Sequence, residues 1–285
     1  MRIQLSMALV VFSAGVLPAL AGEDAKTISL ADAPAAVQAT IKDHVADGAL
    51  GEIDRTNEEG EVVYEVTFTP KGGEERDFDV ADDGTLLSVE MLLPEVPAPV
   101  RKTIEVEANG WALDNIDKNV SDTEITFDVD VSTNADGGTR EKNFTVAENG
   151  DLLSLSMALT NVPAVVQATI QAQAGGGMVA SLEETFDPDG NQFDVEVASG
   201  GGAKKCFTVT EDGKMYSEEV SLEKVPPGAR KTITEKIGNG KLLRIEKALL
   251  EKKDGVLPYE VESRKDGQEF DFSVGPKGRF FGEDE

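Results

Sequence analysis

The sequence has few basic residues, and this shortage limits the ligands that the protein can bind. It contains 27 Lys and Arg against 54 Asp and Glu, which gives a formal net charge of −27. Affinity for nucleic acids and for anionic membranes depends on cationic side chains that neutralise phosphates, so both are excluded as partners. The composition does not exclude a partner that has a positively charged surface.

Histidine is equally scarce. His44 is the only one, and it lies in a predicted helix. The segments elsewhere in the chain that match this helix carry unrelated residues at the corresponding position. A general base needs a partner group and a pocket, so a helix-surface position is the preferred interpretation. Pairs of carboxylates could act instead, but among 54 acidic residues adjacent pairs are expected by chance. We therefore predict no enzyme, no catalytic residue and no cofactor.

The N-terminus has the layout of a cleavable secretory signal. Arg2 is followed by an apolar run up to about Leu17 and then by the small-residue segment Ala19-Leu20-Ala21. We expect cleavage near Ala21 and a secreted or periplasmic mature chain. No later apolar stretch is long enough to cross a bilayer, so no membrane span is expected in the mature chain.

Cysteine is almost absent as well. Cys206 is the only one, so an exported chain of this size has no internal disulfide and is held together by packing. This favours a bacterial periplasm or exterior over a small disulfide-stapled scaffold. An incidental thiol is the preferred interpretation over a reactive one, although Lys204 and Lys205 are expected to lower its pKa somewhat.

What the sequence does contain is one pattern that occurs four times. A proline recurs at intervals of 63, 66 and 63 residues, and Thr-Ile follows six positions after each. An Ile or Leu before an acid comes next, then an aromatic-acid-Val triplet, then Phe-x-Val, and then a turn glycine. The prolines are Pro34, Pro97, Pro163 and Pro226. The triplets are Tyr64-Glu65-Val66, Phe127-Asp128-Val129, Phe193-Asp194-Val195 and Tyr259-Glu260-Val261.

The four copies form two pairs. "VQATI" occurs in copies one and three, whereas "RKTI" occurs in copies two and four. We infer that a module of two copies was duplicated. The predicted organisation is a signal sequence at 1–21 followed by repeats at 22–91, 92–157, 158–220 and 221–285.

Each copy predicts one helix followed by four strands. Apolar residues recur every four positions after the proline, as Ala33, Val37, Ile41 and Val45 do, which is typical of a helix with one buried stripe. Four segments with period-two alternation follow, separated by turns that contain Gly and Asp. The predicted fold class is α+β: four tandem α-β-β-β-β repeats, each a helix on a four-stranded antiparallel sheet, arranged as two paired modules.

The order of these motifs resembles the PepSY-like repeat, which is related in fold to β-lactamase-inhibitor proteins (BLIP-like proteins). The motifs concerned are "P-x-x-V-x-x-T-I", the Ile-acid pair, the triplet and Phe-x-Val-x-x-x-Gly, and they cover essentially the whole mature chain. The resemblance implies a secreted or periplasmic non-enzymatic domain. PepSY domains occur in protease propeptides with a proposed inhibitory role, and tandem units in the inhibitor proteins form a concave sheet that grips an enzyme. No inhibitory residue carries over, because the matching positions are structural.

The acid of each triplet is the main candidate for contact with a partner. Because it alternates with inward aromatic and Val side chains, it is expected on the sheet face away from the helix. Acids on the next strand crowd the same face in copies one and four. Such a face is either a solvated surface that blocks edge aggregation or a site for a cationic partner. The candidates for partner binding are Glu65, Asp128, Asp194, Glu260, Asp77 and Asp271. Trp111 is an aromatic candidate, although local packing is its preferred interpretation.

Calcium is a separate hypothesis, suggested by the alternating oxygen side chains of Asp187-Pro188-Asp189-Gly190-Asn191. Turn chemistry explains the same residues without a metal and is favoured. The leading functional hypothesis is therefore an exported, non-catalytic protein-binding module, including an inhibitor of an extracellular or periplasmic hydrolase. An acidic, calcium-responsive envelope protein is the alternative, and a carboxylate-dependent enzyme is a further one.

Overall fold

The computed structural model describes residues 26–58, 61–121, 124–135, 138–188, 190–198, 204–250, 257–265 and 268–284. The predicted signal sequence, residues 1–21, lies outside this range. The chain divides into two compact units: an N-terminal unit that ends at Leu155 and a C-terminal unit that begins at Ser156. Both units combine helices with antiparallel strands, which confirms the predicted α+β class.

Four helices of 11 residues each occur in the described part of the chain. They are α1 (Ala35–Val45), α2 (Ala98–Ala108), α3 (Ala164–Ala174) and α4 (Pro227–Ile237). The recurring proline directly precedes each helix with an extended backbone, and its carbonyl accepts a first-turn bond, as when the Arg101 N–H donates to Pro97 at 2.9 Å. None of the helices in this part of the chain is long and apolar enough to cross a membrane.

The strands of the N-terminal unit each pair antiparallel with the next strand in sequence. They are β1 (Lys26–Thr27), β2 (Ala49–Glu58), β3 (Glu61–Thr69), β4 (Arg76–Ala81), β5 (Leu86–Glu90), β6 (Ala112–Val120), β7 (Ile125–Ala135), β8 (Gly138–Ala147) and β9 (Leu152–Ser156). Although α2 lies between β5 and β6 in sequence, these two strands also pair, with Glu90 opposite Asp117. The sheet is therefore continuous across α2 instead of being divided into separate sheets of four strands.

The C-terminal unit follows the same order. Its strands are β10 (Met178–Thr185), β11 (Gln192–Ala198), β12 (Lys204–Thr210), β13 (Met215–Glu219), β14 (Lys241–Ala248), β15 (Tyr259–Lys265), β16 (Gln268–Val274) and β17 (Phe280–Asp284). Here β13 and β14 pair across α4, with Glu219 opposite Glu246. The sheet of this unit is again continuous past its second helix.

Helices and sheets bury the recurring apolar residues in four separate clusters. In the second cluster, Val100 and Ile104 from α2 pack with Phe127 and Val129 from β7, and all four are at most 1% exposed. The helices thus cover one face of each sheet. Because side chains alternate along a strand, the residues between the buried ones lie on the opposite face, called the outer face below.

Candidate functional site

The outer face of the N-terminal unit carries a row of acidic side chains on neighbouring strands. The antiparallel register places Glu90 of β5 opposite Asp117 of β6, and Asp117 opposite Asp128 of β7. Asp130 lies two residues beyond Asp128 on the same face. Like charges opposite one another destabilise a sheet by a few tenths of a kcal/mol or more (about 0.2–1). We call Asp79, Glu90, Asp117, Asp128 and Asp130 the acidic cluster.

Side-chain hydrogen bonds, across strands or within one strand, hold three members of the acidic cluster in place. Asp128 accepts bonds from the Thr145 hydroxyl at 2.7 Å and from the Asn119 amide at 2.6 Å. The Asn115 amide donates to Asp117 at 2.6 Å, and the Ser88 hydroxyl donates to Asp79 at 2.7 Å. The carboxylates of Asp79, Asp117 and Asp128 are therefore positioned by polar side chains of the sheet.

Burial makes this cluster electrostatically costly. Burial, together with the charges of Glu90, Asp128, Asp130 and Asp79, raises the pKa of Asp117 from 3.8 to about 7. Burial also raises the pKa of Asp128, against its two hydrogen bonds, and that of Asp130, together with nearby acids. Near neutral pH, Asp117 is therefore protonated in a substantial fraction of molecules.

The outer face of the C-terminal unit has a similar set of acids with one arginine among them. Arg244 of β14 contacts Glu262 at 2.6 Å and Glu246 at 3.4 Å. The Ser217 hydroxyl also donates to Glu246 at 3.0 Å. Burial raises the pKa of Glu246, whereas Arg244 and Ser217 act to lower it. This face therefore contains its own counter-ion.

The sequence-predicted acids lie on the outer faces, but the structure brings only some of them together. Asp128 belongs to the acidic cluster, and Asp77 adjoins it because its N–H donates to Glu90 at 3.2 Å. Glu65 is exposed and lies opposite Asp54 and Asp79.

In the C-terminal unit, Asp194 accepts bonds from Thr185 at 2.8 Å and Thr208 at 2.7 Å, the same arrangement as at Asp128. Glu260 lies opposite Glu246 and Ser273. Asp271 lies opposite Glu262. Their role in partner binding stays a prediction.

Two aromatic-ring side chains that the sequence singled out are parts of the packing. Trp111 is half-buried and packs against the second apolar cluster. The imidazole of His44 lies 4.6 Å from the ring of Phe78 and 5.6 Å from that of Phe68, centroid to centroid. Burial lowers the pKa of His44 below its ordinary value of 6.5. His44 is thus a partly buried packing residue and not a plain surface residue of α1.

The expectation that Lys204 and Lys205 lower the pKa of Cys206 is wrong. Burial, together with Glu219 and Glu196, raises the pKa of this thiol to about 12. The Lys205 ammonium instead donates to the carbonyl of Gln173 at 2.9 Å. The thiol is therefore protonated and a poor nucleophile.

The segment considered for calcium forms a turn where it is described. The Gly190 N–H donates to the Asp187 carbonyl at 3.0 Å, and the Asn191 amide donates to Glu184 at 2.8 Å. Asp189 lies outside the described residues. Within the described ranges, no group of three or more His, Cys, Asp or Glu side chains has the arrangement of a metal site.

Sequence reasoning missed the residues that complete these sites. Asp117 and Glu246 are the acids that follow the recurring Ile. In the sequence they served to define the repeat and were not considered as binding residues. No sequence pattern marked Glu90 or Arg244 as site residues. They enter the sites because β5 pairs with β6 and β13 pairs with β14, which brings the strands of successive copies together.

No family model and no curated protein matches the chain. Solved structures resemble parts of it. A structure described as a periplasmic protein of the DUF2874 family from Bacteroides vulgatus has 16% identity, covers 47% of this chain and 97% of its own, and gives a TM-score of 0.29. A BLIP-like protein from Bacteroides fragilis has 18% identity, with coverages of 43% and 84% and a TM-score of 0.30. A Bacteroides thetaiotaomicron protein described as calcium-regulated and periplasmic has 18% identity, with coverages of 46% and 97% and a TM-score of 0.28. Similarity at this level carries no argument about what this chain binds.

Proposed function

We propose that the protein is an exported, non-catalytic binding module whose outer sheet faces bind a positively charged partner protein. In this proposal the mature chain consists of four PepSY-like, BLIP-like copies arranged as two modules. The partner is an extracellular or periplasmic protein. The first class of partner to test is a hydrolase whose activity is inhibited by the contact. Export is supported by the signal-like residues 1–21.

The observation that carries the proposal is the acidic cluster. Within the described residues the helices cover only the inner face of the sheet, so the outer face is left for solvent or a partner. A purely solvated face needs no ordered, partly desolvated carboxylates, whereas a binding face gains from side chains that are already held in position. Crowded acids that lower the stability of the free protein are relieved when a cationic surface covers them.

A pair of matched variants tests this proposal. Glu90→Gln/Asp128→Asn removes two charges from the outer face, and Asp43→Asn/Glu105→Gln removes two from the exposed surface of α1 and α2. Each immobilised mature chain is exposed to the secreted and periplasmic proteins of the source organism. A partner that binds the unmodified chain and the helix variant, but not the outer-face variant, is then purified and assayed for inhibition of any hydrolase activity.

The outcomes separate the candidate functions. Equal retention by the two variants would contradict the proposal. Saturable heat with millimolar calcium, lost in the outer-face variant, would assign the face to a metal ion instead. Turnover of a small substrate that one carboxylate substitution abolishes would support an enzyme.

A further inference from the structure

We propose that the acidic cluster of the N-terminal unit is a receptor for an arginine side chain of the partner protein. The guanidinium would occupy the place that Arg244 fills in the C-terminal unit. This inference rests on the proposed function and deepens it, because it names the chemical group that the outer face recognises.

The strand register makes Asn115 and Arg244 equivalent positions. Each follows an irregularity in its strand pairing, between Leu113 and Asn115 in β6 and between Leu242 and Arg244 in β14. Each directly precedes a buried isoleucine and lies opposite an acid, which is Asp130 for Asn115 and Glu262 for Arg244.

The acids around the two positions also correspond. The acid after the isoleucine is Asp117 in one unit and Glu246 in the other. The acid across the second helix is Glu90 in one and Glu219 in the other, each directly opposite. These three carboxylates therefore correspond in the two units, with arginine beside them in one and asparagine in the other.

In the C-terminal unit the arginine stabilises these carboxylates. Its two terminal nitrogens contact Glu246 and Glu262, and its side chain is 28% exposed. Burial acts to lower the pKa of Arg244, but the charges of Glu246 and Glu262 outweigh it and raise the pKa. A guanidinium is planar and carries five N–H donors, so it can bond several carboxylates at once.

Among its described residues, the N-terminal unit has asparagine at the position that matches Arg244. The charges that act most strongly on Asp117 all come from acids. The side-chain oxygens Asp77 Oδ1 and Asn115 Oδ1 are buried and, within the described residues, have no hydrogen-bond partner. Buried acceptors are costly when unpaired, so a ligand that brings N–H donors would relieve them. The internal precedent, the excess of carboxylates and the unpaired oxygens all point to the same ligand group.

The test is a calorimetric titration of the mature chain with N-acetyl-arginine amide. We expect saturable binding to one site per chain. Asn115→Arg should weaken it by about tenfold or more, because the new side chain fills the site as Arg244 does. Ala39→Arg, which adds the same charge at an exposed position of α1, should leave binding unchanged. Arg244→Asn should raise the stoichiometry from one site to two.

Several results would overturn the inference. They are the absence of saturable binding, equal affinity in Asn115→Arg and Ala39→Arg, or calcium chloride or N-acetyl-lysine amide binding more tightly at the same site. If Arg244→Asn does not fold, the comparison of Asn115→Arg with Ala39→Arg decides. A protein partner that requires Glu90 and Asp128 while the arginine amide does not bind would leave the proposed function standing and remove the arginine receptor. Arginine binding without a protein partner would do the reverse.

Discussion

The Thr103 hydroxyl donates a hydrogen bond to the Gly150 carbonyl at 2.6 Å, which joins α2 to the turn between β8 and β9. The same bond occurs in the other three clusters, and its partners are Thr40 with Gly84, Thr169 with Gly213 and Thr232 with Gly278. The recurring Thr-Ile and the recurring turn glycine are therefore two halves of one contact. It fixes the end of the sheet hairpin against the helix.

Gly150 is expected to tolerate no side chain. Its φ is +91°, and a Cβ there would lie 2.7 Å from the Pro99 Cβ and 2.8 Å from the Pro99 carbonyl carbon. Gly150→Ala should lower the free energy of unfolding by about 2–4 kcal/mol, from the positive φ plus the clash with α2. Urea denaturation followed by circular dichroism measures the loss.

The control for this change is Gly110→Ala. Gly110 has a similar φ of +87° but has open space where a Cβ would be. It should therefore lose only the backbone part, about 1 kcal/mol. Equal losses in the two variants would show that close approach of the turn to α2 does not matter.

Asp117 should make the protein less stable as the pH rises. Its pKa is about 7 in the folded chain against 3.8 as the ordinary value, so the folded state binds the proton more tightly. The penalty is absent below about pH 4, grows between about pH 4 and 7, and is complete above. Asp117→Asn should therefore raise the free energy of unfolding at pH 8 by about 1 kcal/mol or more, with little effect at pH 4.

Asp47→Asn is the matched control, because Asp47 forms an exposed ion pair with Lys71 at 3.3 Å. Such pairs contribute about 0–1 kcal/mol. Urea titrations at several pH values compare the two variants. A pH dependence that is unchanged in Asp117→Asn would rule out Asp117 as its source.

His44 should affect stability in the opposite direction. Burial lowers its folded-state pKa below 6.5, so its contribution is present above about pH 6.5 and is lost as the pH falls through the folded-state value. Because His44 is the only histidine in the sequence, its imidazole proton signals in NMR are unambiguous. We expect a titration midpoint below 6.5 in the native chain and one near 6.5 in urea. A native midpoint above 6.5 would be inconsistent with the packing against Phe68 and Phe78.

Cys206 should be unreactive in the folded protein. With a pKa of about 12, almost no thiolate is present at pH 8, and the thiolate is the reactive form. A chromogenic disulfide reagent should react slowly with the native chain and rapidly with the urea-unfolded chain. Fast native reaction would show that burial does not protect this thiol.

Much of the fold could be predicted from the sequence because its signals are local. The four-residue spacing of Val100 and Ile104 predicted α2, and the alternation around Phe127 and Val129 placed Asp128 on the outer face. Pairing of β5 with β6 could not be predicted in this way, since α2 separates them and strand pairing depends on how the helix packs.

The candidate site depended on that pairing. Asp117 and Glu90 lie 27 positions apart in sequence and meet only through the register. The sequence alone does not show that Asn115 and Arg244 occupy equivalent positions. The difference between them becomes important only when the structure shows the carboxylates around both residues. Sequence patterns identified which residues face outward. The structure identified which of these acidic side chains lie close enough to repel one another.

The most direct measurement is an NMR titration of isotopically labelled mature chain with N-acetyl-arginine amide. We expect saturable shifts at the outer-face residues of β4 to β7, centred on Asn115 and Asp117, with α2 unaffected. Shifts that do not saturate, or that spread over acidic residues of both units alike, would contradict it.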